Sequence, residues 1–172
     1  GGGGAGGGAA ISSFFDIFTE VSTDGGGSWA SATNGPAHEE LQRIAPANTY
    51  GSNLFPQLSG QYVCRKLWMA YFANGIVITN FVNRTFTQAI TPPPPGTTVS
   101  HSFGSQVEMD ISYDGGLTYS HVIAPGLNTA QITCRLGGDG TTEYYDTEMT
   151  QLDISGGGLL SNILLRESPT KA

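Results

Sequence analysis

Acidic residues that alternate along predicted strands are the side chains in this sequence best suited to chemistry. Glu108 and Asp110 lie two residues apart, as do Asp146 and Glu148, so each pair shares one face of a strand. Two carboxyl groups held about 5 Å apart in a cleft could hydrolyse a glycosidic bond. A solvated strand gives the same pattern, because like charges on its face prevent wrong strand pairing. We therefore interpret both pairs as solvated strand faces.

Three histidines, His38, His101 and His121, are the candidate bases or metal ligands. None lies in a nucleophile motif such as Gly-x-Ser-x-Gly, and no two have the i, i+4 spacing of a helical metal site. We expect all three to lie on exposed loops. The sequence thus predicts no catalytic residue, and we expect the protein not to be an enzyme.

Aspartates in glycine-rich turns are the remaining candidates for a cofactor site. Asp24, Asp114 and Asp139 offer hard oxygen ligands that suit Ca²⁺. None lies in an EF-hand or a glycine-rich nonapeptide pattern, and turn aspartates far more often accept backbone N–H groups. We expect Asp24 and Asp114 to cap hairpin turns. We expect no metal site and no cofactor, with Ca²⁺ as the alternative.

Composition and charge argue against several classes of partner. Only 12% of the 172 residues are charged, and the formal net charge is −7 with seven Lys and Arg spread along the chain. No basic patch could neutralise a run of phosphates, which argues against nucleic-acid binding. No apolar run reaches the ~18 residues that span a membrane, so we expect no membrane insertion. Abundant Gly, Ser and Thr indicate short strands and tight turns in an extracellular protein, secreted or on the cell surface.

Hydrophobic alternation predicts strands along most of the chain and therefore an all-β fold. We expect an antiparallel β-sandwich with Greek-key-like connections. The exception is residues 65–74, whose pattern predicts a short helix ended by Gly75. A hairpin through Asn74-Gly75 is the alternative. The strands are predicted over 14–22, 39–44, 76–88, 106–112, 117–123, 130–136, 143–154 and 159–166.

The chain is predicted to form a single domain over 11–172, with pseudo-halves 11–91 and 96–172 on either side of four consecutive prolines. Residues 1–10 contain only Gly and Ala and are unassigned. They are either a stand-in for residues of unidentified type in an ordered strand or a flexible glycine tract. In the strand 143–154 the apolar residues change face, which predicts a bulge near Thr150-Gln151.

The two halves share a phrase of ten residues. Residues 20–29 (EVSTDGGGSW) align with residues 110–119 (DISYDGGLTY), and each copy predicts a strand, a tight turn and a second strand. The phrase resembles the Asp box of sialidases and related β-propellers, in which the box is a fold element remote from the catalytic groups. The resemblance implies two pseudo-repeated hairpins. A sialidase-related hydrolase, the least favoured alternative, would require a cluster of arginines.

A broader resemblance covers nearly the whole chain. It rests on the segments SFFDIFTEVSTDGG, GPAHEELQRI, ANGIVITN, HSFGSQVEMDISYDGG, YYDTEMTQLDISGG and LLRESPTKA. Together they resemble a repeat unit of large uncharacterised secreted bacterial proteins, in which similar units follow one another. The resemblance implies a tandem or self-associating extracellular module and brings no catalytic residue with it.

Apolar residues on the terminal strands suggest an assembly interface. Phe14 and Phe18 lie opposite the core-facing residues of the first predicted strand, and the last strand carries Leu160 and Leu164. An uncovered strand edge pairs with another strand, and a head-to-tail contact of this kind generates a filament. We therefore expect a structural module that self-associates, as a homo-oligomer or polymer, into a filament, fibre or surface assembly. The contact would be strand pairing of the terminal segments between subunits or repeats.

The alternative function is a carbohydrate-binding module with a polysaccharide partner. Its discriminating feature would be an exposed row of aromatic side chains, drawn from Trp68, Tyr71, Tyr144 and Tyr145.

Two further features depend on burial. Cys64 and Cys134 each follow an alternating stretch, so they could be small buried residues or could form a disulfide. Asn83-Arg84-Thr85 is a glycosylation sequon, and its use would require Asn83 at the surface.

Overall fold

The computed structural model describes residues 2–5, 14–43, 54–56, 60–64 and 69–168. In this part of the chain all strands belong to one antiparallel sheet, which confirms the all-β prediction. The strands are β1 (Gly2–Ala5), β2 (Phe14–Ile17), β3 (Thr19–Ser22), β4 (Ala30–Ser31), β5 (Ala37–Arg43), β6 (Gly60–Cys64), β7 (Met69–Tyr71), β8 (Val77–Arg84), β9 (Thr98–Ser112), β10 (Ser120–Leu136), β11 (Glu143–Ile154) and β12 (Leu164–Glu167).

The strand order shows that the sheet curves back on itself. The hydrogen-bonded order is β2-β5-β6-β8-β9-β10-β11-β12-β3-β4, with β1 added to β11 and β7 added to β8. β2 and β3 belong to one run of chain interrupted only at Phe18, yet they lie near opposite ends of this order. The two ends of the sheet must therefore approach each other beside Phe18. Ile17 and Val21, on either side of it, both belong to the same core.

The long central strands carry one buried face. Every second residue of β10 from Val122 to Cys134 is buried, and the residues between them are exposed or half-buried. β9 alternates in the same way through Val107, Met109 and Ile111. Successive side chains of a strand point to opposite faces, so this ribbon packs one face inward. Burial of that apolar face is the main stabilising contribution, at about 25 cal/mol per Å².

The predicted change of face in β11 is confirmed. The register between β10 and β11 shifts at Thr150, which has no partner residue on β10. This bulge lets both Met149 and Leu152 face the core, although their spacing would put them on opposite faces of a regular strand.

Two strands predicted separately, 117–123 and 130–136, are joined in the single strand β10, which begins at Ser120. Pro125 and Gly126 lie in its middle, where a Pro-Gly pair would normally end a strand. The ladder between β10 and β11 begins at Gly126, so the missing N–H of Pro125 removes no bond to β11. β9 pairs with β10 on both sides of this point and keeps the strand continuous.

The short helix predicted over 65–74 is wrong where the chain is described. Residues 69–71 form β7, which pairs with β8. The alternative hairpin is the structure observed, since Gly75 has φ +86° and donates its N–H to the Phe72 carbonyl at 3.2 Å. Pairing with the β-branched residues of β8 outweighs the helical pattern. Residues 65–68 lie outside the described residues. In the described part of the chain, no helix is long and apolar enough to cross a membrane.

Candidate functional site: two equivalent hairpins and the seat of the last strand

The first echoed phrase forms a tight turn at residues 22–28, termed the first box turn. The Asp24 carboxylate accepts hydrogen bonds from the Ser28 amide (2.8 Å), the Ser28 hydroxyl (2.6 Å) and the Ser22 hydroxyl (2.8 Å). The Ser22 oxygen accepts the Gly26 amide at 2.8 Å. Hydrogen bonds, above all the one from the Ser28 hydroxyl, lower the pKa of Asp24 to about 2. The carboxylate is therefore used within its own turn.

The second box turn, residues 112–118, repeats this network. Asp114 accepts the Thr118 amide (2.9 Å), the Thr118 hydroxyl (2.6 Å) and the Ser112 hydroxyl (2.7 Å). The Ser112 oxygen accepts the Gly116 amide at 2.8 Å. The pKa of Asp114 is also lowered to about 2, chiefly by the Thr118 hydroxyl. The two turns have equivalent geometry although they lie 90 residues apart, from Asp24 to Asp114.

Each box turn docks on the segment that precedes a neighbouring strand. Gly25 donates its N–H to the Asn162 carbonyl at 3.0 Å, and Gly115 donates to the Gly75 carbonyl at 2.8 Å. In both places the residue two positions after the acceptor pairs with the serine that begins the box turn. β12 is thus the structural equivalent of the first residues of β8.

The equivalence of β12 and β8 extends to their side chains. Leu165 on β12 and Ile78 on β8 occupy matching positions and are both 2% exposed, and the residue two positions before each is also buried. Sequence reasoning missed this second echo. Its signal is the weak alignment of residues 159–165 (LLSNILL) with residues 72–78 (FANGIVI).

β12 lies between β3 and β11, in a position that we term the β12 seat. All four of its residues pair with β3, and two of them also pair with β11. The next residue extends the contact, because the Ser168 N–H donates to the Phe18 carbonyl at 2.7 Å. Arg166 stabilises the outer face: its Nε donates to Glu20 at 2.9 Å, and its guanidinium carbon lies 3.9 Å from the centre of the Trp29 ring.

The edge of β11 that holds β12 also holds β1. β1 pairs with residues 143–146 of β11, while β12 pairs with Asp153 and Ile154. β10 occupies the other edge of β11 along its length. In this single chain, both terminal strands of the described part therefore lie along one edge of β11.

Glu167, the last residue of β12, is a buried acid. It is 5% exposed, and neither carboxylate oxygen has a hydrogen-bond partner in the part of the chain that the structure describes. Burial is the main reason that its pKa is raised to about 8, with the negative charges of Glu148 and Glu20 as smaller causes. The Phe18 amide acts in the opposite direction without reaching hydrogen-bond geometry. Ionisation of Glu167 would weaken the seat, because a buried charge without partners is costly.

Of the four residues predicted for assembly, Phe18, Leu160 and Leu164 lie in the β12 seat or next to it. Phe18 is half-buried and, with Ser168, lines a cavity of about 240 Å³. Leu164 is half-buried in β12, and Leu160 is 55% exposed on the loop before it. Phe14 lies in β2, and its side chain is outside the described residues.

The carboxylate pair Glu108 and Asp110 lies on the outer face of β9 in a charged cluster. Asp110 accepts the Asn80 amide at 2.7 Å and lies 2.8 Å from Nδ1 of His121, and these contacts lower its pKa. Glu108 forms an ion pair with Arg84. The partners lie on β8 and β10, so the cluster cross-links three neighbouring strands.

The second carboxylate pair, Asp146 and Glu148, lies on an exposed face of β11. Asp146 pairs with Nε of Arg135 at 2.9 Å, with both side chains about half exposed. Such an exposed pair contributes little to stability, on the order of 0–1 kcal/mol.

The aromatic residues weighed for a sugar site do not form a row where they are described. Tyr144 and Tyr145 are successive residues of β11, so their side chains point to opposite faces. Tyr144 lies under the Arg135 guanidinium at 4.9 Å, and Tyr145 is partly buried. Tyr71 lies on β7, and Trp68 lies outside the described residues.

The histidines lie on strands, so the prediction that they lie on loops is wrong, although His121 is exposed as predicted. His101 belongs to the buried face of β9, where its ring stacks on Phe103 with centroids 5.4 Å apart. Its Nε2 lies 3.1 Å from the Gln88 carbonyl oxygen. His38 and His121 lie on β5 and β10.

Cys64 and Cys134 are not joined by a disulfide. They lie on β6 and β10, with β8 and β9 between these strands in the sheet. Three strand spacings of about 4.8 Å separate the strands by ~14 Å along the sheet, whereas a disulfide needs Cα atoms within about 7 Å. Burial raises the pKa of the Cys134 thiol.

Asn83 is 1% exposed, so the sequon cannot accept a glycan in the folded protein. Its amide nitrogen donates to the Asn128 side chain at 2.9 Å. Asn128 in turn donates to the Phe103 carbonyl at 3.2 Å and to the Ser105 hydroxyl at 2.9 Å. Asn83 therefore belongs to a buried polar network.

Asp139 caps a third turn and has the same chemistry as the two box turns. Its carboxylate accepts the Thr141 amide at 3.0 Å, the Thr142 amide at 2.8 Å and the Thr142 hydroxyl. The pKa of Asp139 is lowered to about 2, chiefly by the Thr142 hydroxyl. Among the described residues, no group of three or more His, Cys, Asp or Glu is placed to hold a metal ion.

Comparison with other proteins gives no relative: no family model matches the sequence, and no curated protein and no solved structure matches the chain.

Proposed function

We propose that this protein is an extracellular structural module that self-associates into a filament, fibre or surface assembly by pairing strands between copies. The observation that carries the proposal is the edge of β11, which is paired in the described chain by its two terminal strands, β1 and β12. Without them this edge would expose N–H and C=O groups that bind another strand. A terminal strand can also pass to a neighbouring copy without rearrangement of the rest of the fold.

In the isolated chain both terminal strands pair with their own β11, so assembly requires the same pairs to form between copies. The contacts would be the same in both cases. Protein concentration then decides between the closed chain and the assembly, by mass action. A contact of this kind is head-to-tail and extends into a filament unless its rotation closes a ring.

The fold supports the same proposal. We propose that the curved sheet forms a two-layered β-sandwich with Greek-key-like connections, in which the run of chain through Phe18 passes from one layer to the other. The position of β2 and β3 near opposite ends of the strand order supports this. The resemblance to repeat units of secreted bacterial proteins agrees with such a module, since neighbouring units would offer each other identical strand edges. No catalytic role is proposed for any residue.

The test is the state of the purified full chain across a wide range of concentration. Sedimentation velocity and negative-stain microscopy should show oligomers that grow with concentration into regular filaments or sheets. A synthetic peptide of residues 159–168, added in excess, should occupy the seat and stop this growth. A chain that remains monomeric at every concentration would overturn the proposal.

Matched surface variants separate strand pairing from association through an apolar face. Leu117 is 85% exposed in the second box turn, and Leu127 is exposed on the outer face of β10. Neither residue pairs with β1 or β12, so Leu117→Thr and Leu127→Thr should leave the assembly unchanged. Loss of assembly in these variants, with no effect of the peptide, would mean that copies associate face to face.

A further inference from the structure

We propose that β12 is an exchangeable strand, seated between β3 and β11 of its own chain or of a second copy, and that the buried carboxyl of Glu167 is the latch that controls its release. The inference rests on the proposed function, because it names the strand that passes between copies and the group that regulates its passage. Three features of the structure carry it: the equivalence of β12 with part of β8, the loop before β12, and the environment of Glu167.

The equivalence indicates that the contacts in the β12 seat do not depend on which loop links the strand to the rest of the chain. In the second hairpin, β8 makes the same contacts with β9 that β12 makes with β3. β8 is the strand that directly precedes β9 in the chain, whereas β12 pairs with β3 from the other end of the described chain. The seat recognises the register and the buried apolar side chain of the incoming strand, and both would be the same in β12 of another copy.

The loop before β12 provides a hinge. Gly156 and Gly157 have φ of +73° and +57°, and Gly158 donates its N–H to the Ile123 carbonyl at 3.0 Å. Residues 159–168 come directly after this anchored turn and would move as one segment. Leu165 and the two other buried apolar residues of the segment must leave the core together, so exchange is slow while the seat is intact.

Glu167 makes the stability of the seat depend on pH. The charged groups that act on Glu167 are Glu148 on β11 and Glu20 on β3, and both are negative. Arg166, on the same strand, points to the outer face and pairs with Glu20. Asp153, the register partner of Arg166 on β11, lies on that outer face as well. A neutral Glu167 is tolerated in the seat, and an ionised one favours release of the strand.

Cross-strand cysteines report which chain supplies β12. Glu20 and Arg166 are register partners with their side chains in contact. In a Cys64→Ser, Cys134→Ala background, one chain carries Glu20→Cys and a second chain carries Arg166→Cys. After the two are mixed, an interchain disulfide forms at this site only if β12 of one chain sits on β3 of the other. The matched control is the pair Thr79→Cys and Asp110→Cys in the second hairpin.

A comparison of strand exchange at two pH values tests whether Glu167 controls the release of β12. The mixtures are held at pH 5 or pH 9, returned to a common pH, and oxidised briefly for the same time, because thiol oxidation itself depends on pH. The interchain product should form on the order of tenfold faster at pH 9, where Glu167 is ionised. Glu167→Gln should remove that difference. Glu148→Gln should shift the pH midpoint downward without removing it, since it removes one neighbouring negative charge.

The outcomes separate this inference from the proposed function. Filaments without the interchain disulfide would overturn strand exchange through β12 and leave self-association standing. Exchange with the same rate at both pH values, or with the same pH dependence in Glu167→Gln, would overturn the latch. Interchain disulfides in the control pair mixed in the same way would show that the cross-link arises from unfolded chains and would overturn the exchange of a single strand. A chain that neither assembles nor exchanges would overturn both proposals.

Discussion

The two echoed hairpins have the same turn, the same docking contact and the same neighbouring strand register, but they differ one residue after that match ends. Glu167 on β12 corresponds to Asn80 on β8, since each is the first residue past the shared register. Asn80 turns outward with φ +54°, and its amide donates to Asp110 at 2.7 Å. Glu167 stays buried, and its carboxylate has no hydrogen bond among the described residues.

The difference arises from how the chain continues after each matched segment. The register of β8 shifts after Thr79, and the strand then continues to Arg84, paired with β6 and β9. Outward rotation of Asn80 is therefore compatible with continuous pairing through the bulge. β12 has no such shift before it ends. The repeated motif thus specifies the geometry of the turn and of the strand beside it. The residues after the motif determine whether the next side chain is hydrogen-bonded at the surface, as Asn80 is, or buried, as Glu167 is.

The largest effect should come from emptying the matched core positions. Leu165→Ala and Ile78→Ala each remove a side chain that is 2% exposed, and each should lower the free energy of unfolding by about 2–5 kcal/mol. Urea unfolding measured by circular dichroism tests both. If the two hairpins are equivalent, the two losses agree within about 1 kcal/mol. A small loss for Leu165→Ala beside a large one for Ile78→Ala would mean that β12 is not seated in solution.

The second-largest effect should come from the glycine turn that precedes β12. A Cβ added to Gly157 would lie 2.4 Å from the Ile123 carbonyl oxygen, whereas a Cβ on Gly156 meets nothing within 4 Å. Both glycines have positive φ, so each alanine variant carries the left-handed penalty of about 1–2 kcal/mol. Gly157→Ala should therefore lower the melting temperature clearly more than Gly156→Ala. Equal losses would show that the loop is not packed on β10.

The hairpins could be predicted from the sequence because their signal is local. Asp-Gly-Gly between a serine and a hydroxyl residue specifies the hydrogen bonds of the turn directly, and the change of face in β11 specifies its bulge. The same local reasoning wrongly predicted a helix over 65–74. The sequence of this segment does not show that β8 lies beside it, and pairing with β8 makes residues 69–71 a strand. Pro125 is tolerated inside β10 because the pairing of β10 with β11 begins at the next residue, Gly126.

The candidate site could be predicted only in part. Leu160 and Leu164 stand out as apolar residues on a terminal segment, and they lie beside the seat. The equivalence of β12 and β8 rests on side-chain type and burial more than on identity, so it is visible only when the docking of each box turn is known. Glu167 looks in sequence like a surface acid between Arg166 and Ser168. Its burial results from the position of β3 beside it, which no local pattern specifies.

Glu167 should make the folded protein less stable as pH rises. A glutamate in the unfolded chain titrates near 4.5, and burial raises the folded value of its pKa to about 8. Between these values the folded state keeps a proton that the unfolded state has lost, so the free energy of unfolding falls as pH rises through this window. Urea unfolding at a series of pH values should show this fall. Glu167→Gln should remove its contribution, and a slope unchanged by the substitution would place the carboxyl in contact with solvent.

The box-turn aspartates should give the smallest effect, of opposite sign and at lower pH. Hydrogen bonds lower the pKa of Asp24 and Asp114 from 3.8 to about 2 in the folded state. Their contribution is therefore fully present above pH 3.8 and is lost as pH falls through about 2. Asp24→Asn and Asp114→Asn retain the shape of the side chain, but its NH₂ group cannot accept the hydrogen bonds that a carboxylate oxygen accepts.

Each Asp→Asn substitution should lower the melting temperature by a few degrees at pH 6, and the difference from the unsubstituted protein should disappear near pH 2. Differential scanning calorimetry over this range measures it. Because the bonds of the two turns match one for one, the two variants should agree at every pH. A larger loss for Asp24→Asn would mean that the first box turn also stabilises the docking of the loop before β12. In that case the two hairpins would be equivalent in geometry and unequal in energy.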